Sequence, residues 1–565
     1  MVTSLGGAGT IVSAHSGGHI TRREVLAGTA LGLASAGLPR LGRAAPKLGG
    51  TINMHSYSFP PPNWHPHVTN TVQIMSSSGI YNQLIEYNPE TENPFELRGD
   101  LATSWELSED GKVYTFHLNP KAKWQDGTPV IAEDVVYSMD SMVDADAKPA
   151  RAVTLPALSP YYEKGTARTI DDHTVEIPLK IPNAPDFLPT LALDFCKIIS
   201  KRWAESGIDV QKWENAVGSG PFKPGKFVKD VSIELVKNKG YWKPELPRID
   251  GMVHYTIKDK GTAIAAYKTG RVLMTNWPVT NLSNKEATQL QAEEKGKLRV
   301  EYVRNAAFFF FFMNTSVAPF NNPKVRQAVN LALDRQALFN TFGVPGLDTL
   351  APPLGVGTWF GRTAEEITQL PGWRQLNGAK HPDDIAKAKT LMAEAGHPNG
   401  FEAEMMVRQV VEFPDQAVVY KEQLKKIGIE ATIKLVDSAT GFQRYTMGDW
   451  VMAPQGSGHF LVAPDALLGR VWMPEGTWAK YARYAPPDWW QEAFTRQAGE
   501  GDREQRQEIL RKMEDYLIFE DPGSCAVTYW TARSWVMNEK IKGIHARGSL
   551  WAGYKHETTW YDPEG

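Results

Sequence analysis

A chain of 565 residues that is 42% hydrophobic and 22% charged, with a formal net charge of −3, outgrows a single core, since cores stop growing near roughly 250–300 residues. Two or three packed units are expected. Without residues 1–45, which hold four basic residues and one acid, the charge becomes −6; a mildly acidic chain with no basic block is a poor nucleic-acid or membrane binder.

The first residues read as an address. Thr21-Arg22-Arg23-Glu24-Val25-Leu26 places twin arginines before an apolar run over 25–38 rich in Ala, Gly and Leu, and the small Ala44 and Ala45 suit a signal peptidase. This is the pattern of a twin-arginine export signal. The run falls short of the roughly 20 residues that span a bilayer, and His15 and His19 lie in the part to be removed. The two cysteines, Cys196 and Cys525, form neither a disulfide framework nor a zinc spacing, and leave a single bridge between them open.

Next come a strand over 49–54 and a loop over 55–68 that carries Tyr57, Trp64, His65 and His67. Its His-Pro-His triplet could hold a metal, but a solvated turn is the preferred reading, so no metal is expected. The densest signals lie between 102 and 142. Tyr114, Phe116 and Leu118 alternate with Val113, Thr115 and His117, which is a strand with one face on a core. Asp110-Gly111 is its turn, and Asp126-Gly127-Thr128-Pro129 a second one. Ala132, Val135, Val136, Met139 and Met142 then recur at helical spacing, with Glu133 and Asp134 in the first turn, where negative charge is favoured.

Two strand-helix-strand units follow. Residues 251–257, 261–269 and 272–276 form the first, with Gly270 closing the helix; residues 401–408, 414–427 and 429–435 form the second, with Gly428 closing its helix. Crossovers of this length make the strands parallel, and units so far apart suggest two separate α/β lobes. Phe308 to Phe312 show no alternation, the mark of a central strand covered on both faces. Searching for a GxSxG elbow, an HExxH pair, a P-loop or a cysteine beside a histidine finds none. Carboxylate pairs such as Glu109-Asp110 and Asp383-Asp384 fall at turns and helix starts, where capping accounts for them.

The 102–142 stretch resembles the signature of the extracellular solute-binding proteins of family 5, the class that serves peptide and nickel ABC importers. The matching residues are Ala102, Trp105, Ser108, Asp110, Tyr114, Phe116, Leu118, Asp126, Gly127, Pro129, Ala132, Asp134 and Val135, with Asn119 and Ile131 as departures. Further matches run in order through Gly218 to Phe222, Asn238 to Trp242, Asn314-Thr315, Pro319-Phe320, Val325 to Ala328, Asp334-Arg335 and residues 386–396.

The resemblance implies an α/β, bilobal periplasmic-binding-protein fold, type II-like, with an extra inserted domain. Lobe I would comprise 46–88, 217–305 and 530–565, lobe II the insertion 89–216, and lobe III 306–529. It also implies a monomeric, non-enzymatic periplasmic component of an ABC importer, without cofactor, that captures a peptide or peptide-like solute between lobes and delivers it to the inner-membrane permease. A secreted hydrolase of peptides or oligosaccharides is the alternative. The 55–68 loop, with Tyr57 and Trp64, would enter the cleft, and Asn314 would join its lining. Relatives hold the ligand ammonium with an aspartate before a Pro-Asp step; here that step is Pro464-Asp465, and Val462 stands at the aspartate position. Ordinary peptides are therefore less secure as ligands unless His459 or Asp465 substitutes.

In open α/β sheets, ligands lie beyond the C-terminal strand ends. That rule points to Arg408 and Gln409 after one strand, Asp437 and Ser438 after its partner, and Asn276 and Trp277 on the facing side. Arg408 alone has a fixed charge and a planar fork suited to a carboxylate; the competing reading is a surface arginine paired with Glu412 or Asp415. For the export signal, replacing Arg22 and Arg23 together by lysine is expected to hold the precursor in the cytoplasm, as read by cell fractionation. Normal secretion of that variant would assign export to the general route.

Overall fold

The computed structural model describes residues 46–564 apart from 60–62, 69–70, 152, 210–211, 277–281, 411 and 459–462. Two neighbouring antiparallel strands, Leu298–Met313 and Cys525–Asn538, run through the middle of a 10-stranded sheet. Beyond the first lie Met452–Gly458, Phe401–Arg408 and Ile429–Val436, and beyond the second Met274–Thr275, Thr51–Ser56, Gly251–Thr256, Ser232–Lys237 and Phe222–Val228. The register of the central pair shifts between Val303 and Ala307 opposite Arg533 and Thr531. A bulge of this kind bends and twists a ribbon locally, so it separates the two flanks of the sheet.

Phe308, Phe310 and Phe312 face one aromatic core, with Trp450, Trp472, Trp478 and Trp530. Phe309 and Phe311 face another, with Tyr420 and Tyr529. Both faces of the strand are covered, as the unbroken apolar run predicts. The second strand-helix-strand unit also forms as expected: Phe401 pairs in parallel with Ile429 and Arg408 with Val436, around the helix Phe413–Lys425. The first unit differs. Its strands are parallel but not neighbours, because Thr51–Ser56 lies between them and pairs with both. Crossover length sets direction but leaves room for another strand in the gap. Met274–Thr275 is also shorter than the sequence suggests. Both units belong to one continuous sheet, the first on one flank of the central strand pair and the second on the other.

The 102–142 stretch supplies two strands of a separate 4-stranded sheet, ordered Ala102–Leu107, Val113–Leu118, Thr174–Pro178 and Arg168–Asp171. Tyr114, Phe116 and Leu118 are its buried positions, and the helix Ala132–Met142 is buried along Ala132, Val135, Met139 and Met142. Ile131 cannot cap that helix with its side chain. Asp134 does part of the work instead, accepting from the Ile131 and Lys201 backbone amides and from the Trp124 indole. Cys196 and Cys525 are both buried and free. Among the described residues no helix is long and apolar enough to cross a membrane.

Segments remote in sequence meet in a buried ionic cluster. Asp100 accepts from Lys243 and Lys555, each at 2.7 Å. Glu557 accepts from Lys243 at 2.9 Å, Arg98 at 3.1 Å and the Tyr241 hydroxyl at 2.6 Å, and Glu86 from Arg98 at 2.8 Å and Lys555 at 2.7 Å. Burial alone would raise the Asp100 carboxyl, but the two ammonium groups outweigh it and hold it well below the usual range. Glu557 is lowered to about 2 against the same opposing burial. Lowered folded-state values mean that this stabilisation is present above the ordinary carboxylate range and is lost as pH falls through the folded values. Replacing Asp100 by asparagine, which leaves two buried ammonium groups short of countercharge, is expected to lower stability by about 3–5 kcal/mol at pH 7. Urea denaturation checks this, and an unchanged midpoint would contradict it.

Candidate functional site

The strand Phe401–Arg408 lies one in from the edge of the sheet, and its last residue turns inward. Arg408 is 7% exposed. One guanidinium nitrogen donates to Ser438 Oγ at 2.8 Å and another to Gln455 Oε1 at 2.7 Å. The group lies over the Phe442 ring at 4.3 Å and near that of Phe413 at 5.3 Å. Gly441 is required beside it, because a Cβ there would come within 2.5 Å of Arg408 Cγ.

Neither Glu412 nor Asp415 pairs with Arg408, so the surface ion pair weighed from the sequence does not form. Among the described residues Arg408 has no carboxylate partner, and its Nε has no hydrogen-bond acceptor. Burial lowers its proton affinity, with Tyr445, Tyr57 and Tyr481 opposing. A desolvated guanidinium without countercharge is costly and is suited to an incoming anion.

Tyr57 follows the strand Thr51–Ser56 on the far side of the sheet. Burial raises its hydroxyl, and the charges of Arg408 and Arg533 lower it. Arg533 stands at the bulge of the central strand pair, 5.6 Å over the Phe309 ring. Glu412, with φ of 71°, holds a left-handed conformation uncommon outside glycine and accepts from the Tyr529 hydroxyl at 3.4 Å. Burial pushes its carboxyl up to about 7, although Arg533 acts against this. Arg408 and Arg533 are thus both electrostatic neighbours of Tyr57, and Arg533 of Glu412. Guanidinium, carboxyl, amide and hydroxyl groups of this kind can bind and orient a polar solute.

The structure disperses the other expected residues. Trp64 is core, packed edge-on against Trp213 at 4.5 Å. Asn314 is buried and donates to the Gly448 and Trp450 carbonyls. Asp437 is exposed and caps a helix through the Thr440 amide. Asp465 is buried against Tyr161, Gln497 and Arg506. Trp277, His459 and Val462 lie outside the described residues.

The His-Pro-His loop is buried rather than solvated: His67 Nδ1 meets Ser141 Oγ and Nε2 the Lys197 carbonyl, while His65 Nδ1 accepts the His67 amide. Those nitrogens are committed, which leaves this pair poorly placed for a metal. Glu86, Asp100 and Glu557 converge closely enough for an ion, but Lys243, Lys555 and Arg98 already occupy that position. Sequence reasoning missed Arg533, Glu412 and Gln455. Arg533 carried a signal, a lone charge within the apolar run Cys525–Asn538.

Residues 96–477 match the family described as bacterial extracellular solute-binding proteins, family 5 Middle. A heme-binding protein A of Haemophilus influenzae is 32% identical over 356 residues, covering 60% of each chain. A dipeptide-binding protein of Escherichia coli K12 is 28% identical over 359 residues, covering 60% of this chain and 62% of the relative. The chain thus matches about three-fifths of the length of these relatives. In fold it is similar to the periplasmic binding protein DppA of Helicobacter pylori in complex with the peptide STSA, with a TM-score of 0.72 and 24% identity over 91% of this chain and 98% of that one. It is also similar to AgaA of A. tumefaciens R10 in complex with agropinic acid, with a TM-score of 0.74 and 24% identity over 91% and 99%.

Glu412 yields a pH test. A carboxyl raised to about 7 in the fold costs stability only where the unfolded chain would be ionised and the folded one resists it. That cost grows as pH rises from the ordinary glutamate range and is complete above the folded value. Glu412→Gln is therefore expected to melt higher than the parent at pH 8 and equally at pH 4. A parallel shift at both pH values would remove the charge from the explanation.

Proposed function

The chain belongs to the bacterial extracellular solute-binding proteins of family 5, and from that membership we propose that it is the exported solute-capturing component of an ABC importer, with a carboxylate-bearing peptide or peptide-like ligand. The observation that carries the ligand class is Arg408, buried, gripped by Ser438 and Gln455, and without a carboxylate partner among the described residues. Named relatives that bind dipeptides, di- and tripeptides or glutathione support a ligand of this size and charge. The solute's carboxylate is the missing partner of Arg408, with Arg533 and Tyr57 beside it. Phe413 and Phe442 exclude water from the pair.

Capture works by closure in this reading. Lobe I (46–88, 217–305 and 530–565) and lobe III (306–529) pivot on the bulged central strands, and lobe II (89–216) rides on lobe I. The proposed boundaries at 305 and 529 fall close to the register shift at Val303 and Ala307, which supports a hinge there. To move a population from 1:99 to 99:1 the ligand must favour the closed form by about 5.5 kcal/mol, within reach of a buried charge pair and aromatic contacts. The twin arginines direct export to the periplasm, and the monomer hands its solute to an inner-membrane permease.

Calorimetry with a dipeptide and its C-terminal amide tests the reading. The free acid is expected to bind, and the amide more weakly by about 30-fold to several thousand-fold, equivalent to roughly 2–5 kcal/mol. Arg408→Ala should remove that difference while leaving the melting temperature nearly unchanged. Equal binding of acid and amide by the parent protein would overturn the assignment of Arg408.

A further inference from the structure

A second compartment lies away from Arg408. A cavity of about 170 Å³ opens between the 156–161 segment of the inserted region and the segment around the helix Pro464–Val471. Ala157, Pro160 and Tyr161 form one wall, and Ala466, Met473 and Phe494 the other. Apolar cavities of about 150 Å³ stay dry and take up benzene. Asp465, Arg470 and Glu475 also contribute to the lining, so the space has the size for one aromatic ring or a branched aliphatic group between its two apolar walls.

Its rim is tied by a polar clasp. Asp465 and Tyr161 both line the cavity, and the Tyr161 hydroxyl donates to Asp465 at 3.2 Å. Gln497 donates to the same carboxylate, and Arg506 reaches it at 3.3 Å while also contacting Asp186 at 3.4 Å. Asp186 and Tyr161 come from the inserted region, and Asp465, Gln497 and Arg506 from the other side. Both walls and the clasp exist together only when these segments meet. A group filling the cavity is then bound by both at once and favours the state in which they touch.

We propose that this seam cavity is a binding compartment for a compact apolar group no larger than about one aromatic ring, and that its occupancy holds the inserted region against the 464–517 segment. The group comes either from a side chain of the captured solute, which rests on the transport reading above, or from a free apolar molecule, which does not.

Crystals of the mature protein exposed to xenon, together with melting curves in rising benzene concentration, test the compartment directly. Xenon density in the cavity, and a melting temperature that rises with benzene in the parent but not in Ala466→Phe, are the expected results. An empty cavity under xenon together with no benzene effect on the parent overturns the proposal, whatever the fate of the variant.

A second arm identifies the source. If the solute supplies the group, a phenylalanine-containing dipeptide binds at least about 10-fold better than its alanine counterpart, benzene competes with it, and Ala466→Phe removes the preference. Ala466→Phe should keep the discrimination between acid and amide that Arg408→Ala abolishes, so the two readings fail separately. Benzene uptake with no side-chain preference assigns the cavity to a free apolar molecule and leaves the compartment standing.

Discussion

The pairing of Leu298–Met313 with Cys525–Asn538 is the constraint on which the rest of the structure depends. It is long-range, joining strands more than two hundred positions apart, and it carries every other strand of the large sheet on one side or the other. Because the pair passes between the two flanks, their relative position is set by a ladder of backbone hydrogen bonds rather than by side-chain contact alone. The bulge at Val303 and Ala307 interrupts that ladder where the flanks part. Pairing lapses between those two positions, and Arg533, opposite Val303, lies 5.6 Å over the Phe309 ring.

The aromatic content follows from the same constraint. A strand covered on both faces must be apolar at every position, and five consecutive phenylalanines meet that demand between two helical layers. Rings of this kind leave little room for water, so any charge that projects past them is desolvated. Arg408 is such a charge. The rings of Phe413 and Phe442 satisfy part of it, and Ser438 and Gln455 two of its donors. What remains is an attraction for an anion, stronger here than it would be in water because the local dielectric is low.

Buried charge has two different uses in this protein. In the cluster of Glu86, Asp100 and Glu557 with Arg98, Lys243 and Lys555, acids and bases balance, and the effect is to tie the C-terminal segment to residues near 86–100. At Arg408 the balance is left incomplete. The first arrangement resists change, and the second is poised for a partner; the distinction lies in the count of nearby countercharges.

The sequence by itself determined the local elements and the family. Alternation at Tyr114, Phe116 and Leu118, helical spacing from Ala132 to Met142 and the glycine closures at Gly270 and Gly428 depend on neighbours a few residues away, and each appears in the structure. The rule that ligands lie beyond strand ends was also legible, and it singled out Arg408, which the structure shows buried against Ser438 and Gln455. Only the tertiary structure decided that Thr51–Ser56 enters between two parallel strands, that Trp64 and Asn314 are internal, that Asp465 turns toward Arg506, and that Gln455, Phe413 and Phe442 meet Arg408. Those outcomes depend on contacts between residues hundreds of positions apart, and spacing along a chain carries no record of which distant side chain will stand opposite.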